Sequence, residues 1–256
     1  MNVSNIQQVT PQPASITGGK TTRIASLYIN DLHGHLDGIG KTQTEVAKFR
    51  AENLKSGTNS FAPFVFISGD SYVGGNEKKN NLVVKLQNII KPDANVYGNH
   101  EFDWKGTLGL SARTDHAKFP TLALNLIPKP DCALDDDYQA ERLAKSIVVE
   151  KNGEKFGLIG LIPSDFLNRL NQETKEHCKD IDVLNLQDTI KSVQEEVDKF
   201  EKQGINKIIV ISHMGYDADA AIAQSVSGID VIHGGHSHHV LDGLKSGVNY
   251  FTSKRG

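Results

Sequence analysis

Short apolar runs alternate along this chain with segments whose apolar residues recur every three to four positions, the signature of strands and crossover helices in turn. Arg23 to Ile29 reads as the first strand. Lys41 to Leu54, with Val46, Ala47, Phe49 and Ala51, reads as a helix stopping near Gly57. Pro63 to Ile67 is a nearly continuous apolar run, suited to a strand covered on both faces. Leu82, Val83, Leu86, Ile89 and Ile90 have helical spacing before Pro92, and Asn95 to Tyr97 forms a short strand after it. Thr121 to Leu124 predicts another, and Pro128 to Asp137 a long loop that could cover a cleft.

The second half repeats the alternation. Ser146 to Glu150 and Lys155 to Ile162 flank Asn152-Gly153, a dipeptide suited to a tight hairpin turn, so at least one strand pair is antiparallel. Leu186, Ile190, Val193, Val197 and Phe200 predict an amphipathic helix over 186–203, ended by Gly204. Lys207 to Ile211 and Gly228 to Ile232 are further strands, and Val248 to Thr252 a terminal one. Residues 1–22 are polar, with paired glutamines, prolines and glycines, and read as a flexible leader. The remaining 23–256 predict one α/β domain.

Composition narrows the function classes. Twenty-eight Lys and Arg against 31 Asp and Glu give a net charge of −3 without a basic tract, which argues against a nucleic-acid backbone as partner. No apolar run reaches membrane-spanning length, and the N-terminus lacks the basic start and apolar core of a secretory signal, leaving localisation open. Cys132 and Cys178 lack paired metal-ligand spacing and read as ordinary thiols.

The candidate chemistry lies where strands end. Asp31-x-His33, Asp70, Asn99, His213 and His236-x-His238 each follow a predicted strand. Any one of them has an ordinary structural use, as a turn cap or a hydrogen-bonded histidine. Together they form an oxygen and imidazole set without thiolate, suited to Mn, Zn, Co, Fe or Mg, and large enough for two divalent ions if one carboxylate is shared. Asp70 suits the shared position because its loop lies between the other ligand loops in chain order. Two such ions about 3.5 to 4 Å apart can supply an attacking hydroxide and neutralise phosphate oxygens.

The runs Asn30-Asp31-Leu32-His33-Gly34, Gly69-Asp70, Gly98-Asn99-His100-Glu101-Phe102-Asp103, Ser212-His213 and Gly235-His236-Ser237-His238, in this order, resemble the calcineurin-like metallophosphoesterases, in particular the catalytic domain of the 5′-nucleotidase family. The resemblance implies a four-layer α/β/β/α sandwich with two mixed sheets and a dimetal centre at the C-terminal ends of the strands. It implies that Asp31, His33 and His238 hold one ion, that Asn99, His213 and His236 hold the other, and that Asp70 lies between. It further implies that His100, oriented by Asp103, assists the leaving group. Glu101 and Phe102 read as shaping their loop rather than binding substrate. The family's second, C-terminal substrate domain has no match in these residues, so a compact relative and a trimmed chain both stay open.

The expected activity is hydrolysis of a 5′-nucleotide or another small phosphomonoester. A cyclic-nucleotide or other phosphodiesterase is the enzymatic alternative, and a metal-binding or interaction domain without turnover is the alternative from a different class.

Overall fold

A computed structural model describes residues 24–55, 63–72, 76–239 and 241. The predicted helix stop at Gly57 and terminal strand at 248–252 lie outside them. Eleven strands are described: β1 (Ser26–Ile29), β2 (Phe64–Ser68), β3 (Ala94–Val96), β4 (Thr121–Leu122), β5 (Leu126–Pro128), β6 (Leu143–Ala144), β7 (Ser146–Lys151), β8 (Glu154–Leu161), β9 (Ile181–Val183), β10 (Ile208–Ser212) and β11 (Val231–His233). The helices are α1 (Leu36–Lys55), α2 (Glu77–Ile90), α3 (Gly106–Thr114), α4 (Asp135–Gln139), α5 (Phe166–Arg169), α6 (Gln172–Glu176), α7 (Leu186–Lys202) and α8 (Tyr216–Ser225), with a 3₁₀ turn at His100–Phe102. None of them is long and apolar enough to cross a membrane.

One sheet has the order β1-β2-β3-β4-β6 with parallel pairs throughout. The other has the order β11-β10-β8-β7, parallel except for the β7–β8 hairpin, whose turn places Asn152 and Gly153 at φ 52° and 75°. Strand alternation explains how the sheets stack. Phe64 and Phe66 of β2 share a buried cluster with Phe156 and Leu158 of β8 and Ile209 and Ile211 of β10, which is the seam between the sheets. Val65, between the two phenylalanines, belongs instead to the cluster that includes Ile39 and Val46 of α1 and Val83 and Val84 of α2. Ile208 and Val210 likewise face away from the seam and cluster with Val193, Val197 and Phe200 of α7 and Ile222 of α8. The period of two in each strand thus yields four layers, α/β/β/α.

Several elements differ from the sequence reading. Helix α1 begins at Leu36, five residues before the expected Lys41, because Ile39 is fully buried and its packing overrides the poor helix propensity of Gly38 and Gly40. The loop expected over Pro128 to Asp137 includes the end of β5 and the start of α4, and it does not stand free: Cys132 and Leu134 are buried in one cluster with Phe102, Phe166 and Ile181. Cys132 and Cys178 are free thiols, and burial pushes both up to about 12.

Candidate metal centre

Because β1, β2 and β3 run parallel side by side, the residues that follow them leave the same edge of the sheet. Backbone hydrogen bonds fasten the first two exits together: Asp31 N–H donates to Gly69 O at 3.1 Å, His33 N–H to Asp70 O at 2.8 Å and Gly34 N–H to Ser71 O at 2.8 Å. From the facing sheet, β10 delivers His213 and β11 delivers His236 and His238. His213 Nδ1 lies 2.5 Å from Ser68 O, which directs Nε2 toward Asp70 Oδ2 at 3.0 Å. The backbone N–H of His236 donates to Asp31 Oδ2 at 3.0 Å, and His238 Nε2 lies 3.1 Å from Asp31 Oδ1.

Two groups of ligand atoms result, each with its members within 4.8 Å of one another: Asp31, His33 and His238 in one, Asp70, His213 and His236 in the other. Asp70 Oδ2 also lies 3.9 Å from His33 Nε2, so this carboxylate stands between the groups, in the loop that follows β2, the middle one of three adjacent strands. A third group, His33, Asp70 and His100, overlaps both.

The donor chemistry fits divalent cations. His33 Nε2 and Asn99 Oδ1 are buried without a hydrogen-bond partner among the described residues, and His213 Nε2 faces the Asp70 carboxylate, an arrangement that a bound ion would complete. Five of the seven sequence-identified ligands, Asp31, His33, Asp70, His236 and His238, sit at positive φ between 45° and 76°. Such non-glycine conformations cost of order 1–3 kcal/mol each and persist only where surrounding contacts determine them. Glycine accommodates the crowding that follows. A Cβ on Gly98 would fall on the Asp70 carboxylate, and one on Gly69 (φ 81°) on the His213 ring.

Electrostatics distinguishes the histidines. His33 is held below its usual pKa by burial, against the pull of Asp70 and Asp31. For His213 burial acts the same way, but the adjacent Asp70 outweighs it and the net shift is upward. His100 is raised to about 9 by its hydrogen bond to Asp103, Nδ1 to Oδ2 at 2.6 Å. Its ring lies edge-on to that of His33, 4.8 Å between centroids. Of the nine residues singled out in the sequence, eight are brought together by these contacts, and Asn99 immediately precedes the turn that carries His100. Less legible were the supports: the Ser68 carbonyl behind His213, the Asn30 amide against Asp31, and the Ser212 hydroxyl, which donates to Asp219 Oδ1 at 2.5 Å. A carbonyl has no side-chain signature, and Asn30 and Asp219 are ordinary residues until the fold brings them to their partners.

Comparison with known proteins agrees with this geometry. The family model for calcineurin-like phosphoesterases matches residues 26–240. The trifunctional nucleotide phosphoesterase protein YfkN of Bacillus subtilis is 30% identical over 255 residues, covering 86% of this chain and 16% of that protein. The snake venom 5′-nucleotidase of Naja atra is 29% identical over 235 residues, covering 84% and 41%. The solved structure of Haemophilus influenzae NAD nucleotidase (NadN) superposes with a TM-score of 0.69 at 27% identity, covering 85% of this chain and 39% of that one. The chain thus spans less than half the length of each of these relatives. With the layered fold, the two ligand groups and a family match over nearly all the described residues in agreement, the chain belongs to the calcineurin-like phosphoesterases.

Proposed function

We propose that this chain hydrolyses phosphomonoesters of the 5′-nucleotide type, using two divalent ions. The observation that carries the reading is the pair of ligand groups, one containing Asp70 and the other including His33, 3.9 Å from the Asp70 carboxylate. Asp31, His33 and His238 would hold one ion, Asn99, His213 and His236 the other, and Asp70 both. When bound, the ions would lower the pKa of water and neutralise phosphate oxygens. His100 has the remaining role. With Nδ1 engaged by Asp103, its Nε2 is the nitrogen left to give a proton to the departing ester oxygen. The nucleotide preference draws support from relatives that carry nucleotidase names.

The test is a substrate screen of protein loaded in turn with Mn²⁺, Co²⁺, Zn²⁺ or Mg²⁺. AMP, GMP, CMP, UMP and an aryl phosphate are compared with cyclic phosphates and bis(p-nitrophenyl) phosphate. The monoesters should turn over fastest. Their kcat/KM values should agree within about tenfold, roughly 1.4 kcal/mol of discrimination, because a centre of this kind sees chiefly phosphate oxygens. The segment 128–137, one candidate wall for a base pocket, is anchored to the core through Cys132 and Leu134. Cleavage of diesters alone would reassign the reaction, and no turnover with any ion would favour a binding domain.

A further inference from the structure

Glu101 is bonded to the backbone of the loops that carry the candidate centre and belongs to none of its ligand groups. Its side chain is 1% exposed. Both oxygens are taken by backbone donors: Oε2 accepts from Asp70 N–H at 2.9 Å and Gly98 N–H at 2.5 Å, and Oε1 from Ser71 N–H at 2.7 Å and Tyr72 N–H at 3.2 Å. An ionised carboxylate has about four lone-pair sites, so four N–H donors leave none for a cation. We infer that Glu101 is a positioning residue, whose buried carboxylate locks the loop carrying Asp70 to the turn carrying Asn99 and His100 and so builds the ion position that Asn99 serves.

The two ion positions depend on Glu101 unequally. Asp31 and His33 reach the Asp70 loop through their own backbone hydrogen bonds, which involve no part of Glu101. The Asn99 turn has a different connection. Gly98 and Asp70 share one Glu101 oxygen, and the only other link described between these segments' polar groups is His100 N–H to Asp70 Oδ1 at 2.9 Å. The surroundings hold this lock in place. Gln87 Nε2 donates to Ser71 Oγ at 2.7 Å, while Arg113 donates to the Glu101 carbonyl and lays its guanidinium over the Tyr72 ring at 4.8 Å. A glutamine at 101 would turn an NH₂ group toward two of the four N–H donors, whichever way it faced.

The inference rests on the dimetal reading, and the experiment separates the two. Ion binding is measured by calorimetry with Co²⁺ and by the spin coupling of bound Mn²⁺, with melting followed by circular dichroism. The wild type should take up two ions. Glu101→Gln should keep one at an affinity within about threefold and lose about 10- to 100-fold at the other, the usual effect of removing a group that orients a ligand, with the Mn²⁺–Mn²⁺ coupling lost at stoichiometric metal. Glu101→Asp, which keeps the charge but is one methylene short of the four donors, should show the same selective loss and decides the matter if the glutamine variant does not fold. Folded variants that bind both ions as the wild type does would overturn the role of Glu101. Equal weakening of both ions, or failure of both variants to fold, would also overturn it by showing a purely structural residue. Fewer than two ions in the wild type would overturn the dimetal reading and this inference with it.

Discussion

Asp103 decides what His100 can do, because its carboxylate occupies Nδ1 and favours the imidazolium. Replacing His100 with Asn should lower turnover by about 10² to 10⁴ while leaving metal content unchanged; loss of metal together with activity would move His100 into the ligand set. The pH dependence has a definite sign. A proton-donating His100 works below its pKa, so kcat should fall as pH rises through the alkaline limb. Asp103→Asn removes the largest cause of the raised value, so that limb should move to lower pH. An ion nearby would lower the limb in both proteins, which is why the comparison between them is the measurement. An unshifted limb would detach Asp103 from this role. At this scale the candidate ligands stood out because Asp, His and Asn in short runs after strands are unusual in combination. Glu101 was legible only as a residue that shapes its loop, and its lock was not, since its four partners are backbone N–H groups that any residue supplies.

The loops between strands and helices do more than connect them, since neighbouring exits pack closely enough to exclude a methyl group. Gly98→Ala would drive a Cβ into the Asp70 carboxylate and should destabilise the fold by about 1–3 kcal/mol with loss of bound metal. Gly40→Ala provides the opposite case. Gly40 lies on the exposed face of α1 with nothing within 4 Å of an added Cβ, and this change should stabilise by roughly 0.4–1 kcal/mol. Chemical denaturation of the two variants checks both signs, and a neutral Gly98→Ala would show that the strand ends are looser than their geometry implies. Long elements with clean periods, α7 and β8 among them, were readable from the sequence. Helices α3, α5, α6 and α8 and the β5–β9 pair were not read. They are short, or broken by glycines such as Gly106 and Gly109, and, α6 apart, burial in the clusters around Phe102, Phe166, Ile181 and Ile222 holds them in place.

At the scale of the whole molecule, two sheets whose strands mostly run one way place their exits opposite each other, so residues more than two hundred positions apart, such as Asp31 and His238, come within 3.1 Å. The α/β class and the antiparallel hairpin followed from residue patterns, whereas the four-layer arrangement entered through family resemblance. Periodicity gives each strand two faces without saying which partner covers them. The central claim is that this convergence holds two ions sharing one carboxylate. Its most direct measurement is anomalous scattering from crystals of metal-saturated protein, with elemental analysis of the same preparation and of Asp70→Ala. The account expects two ions per chain on either side of Asp70, and loss of both ions and of phosphatase turnover in the variant. Saturation at one ion, or an Asp70→Ala protein that retains both, would contradict it.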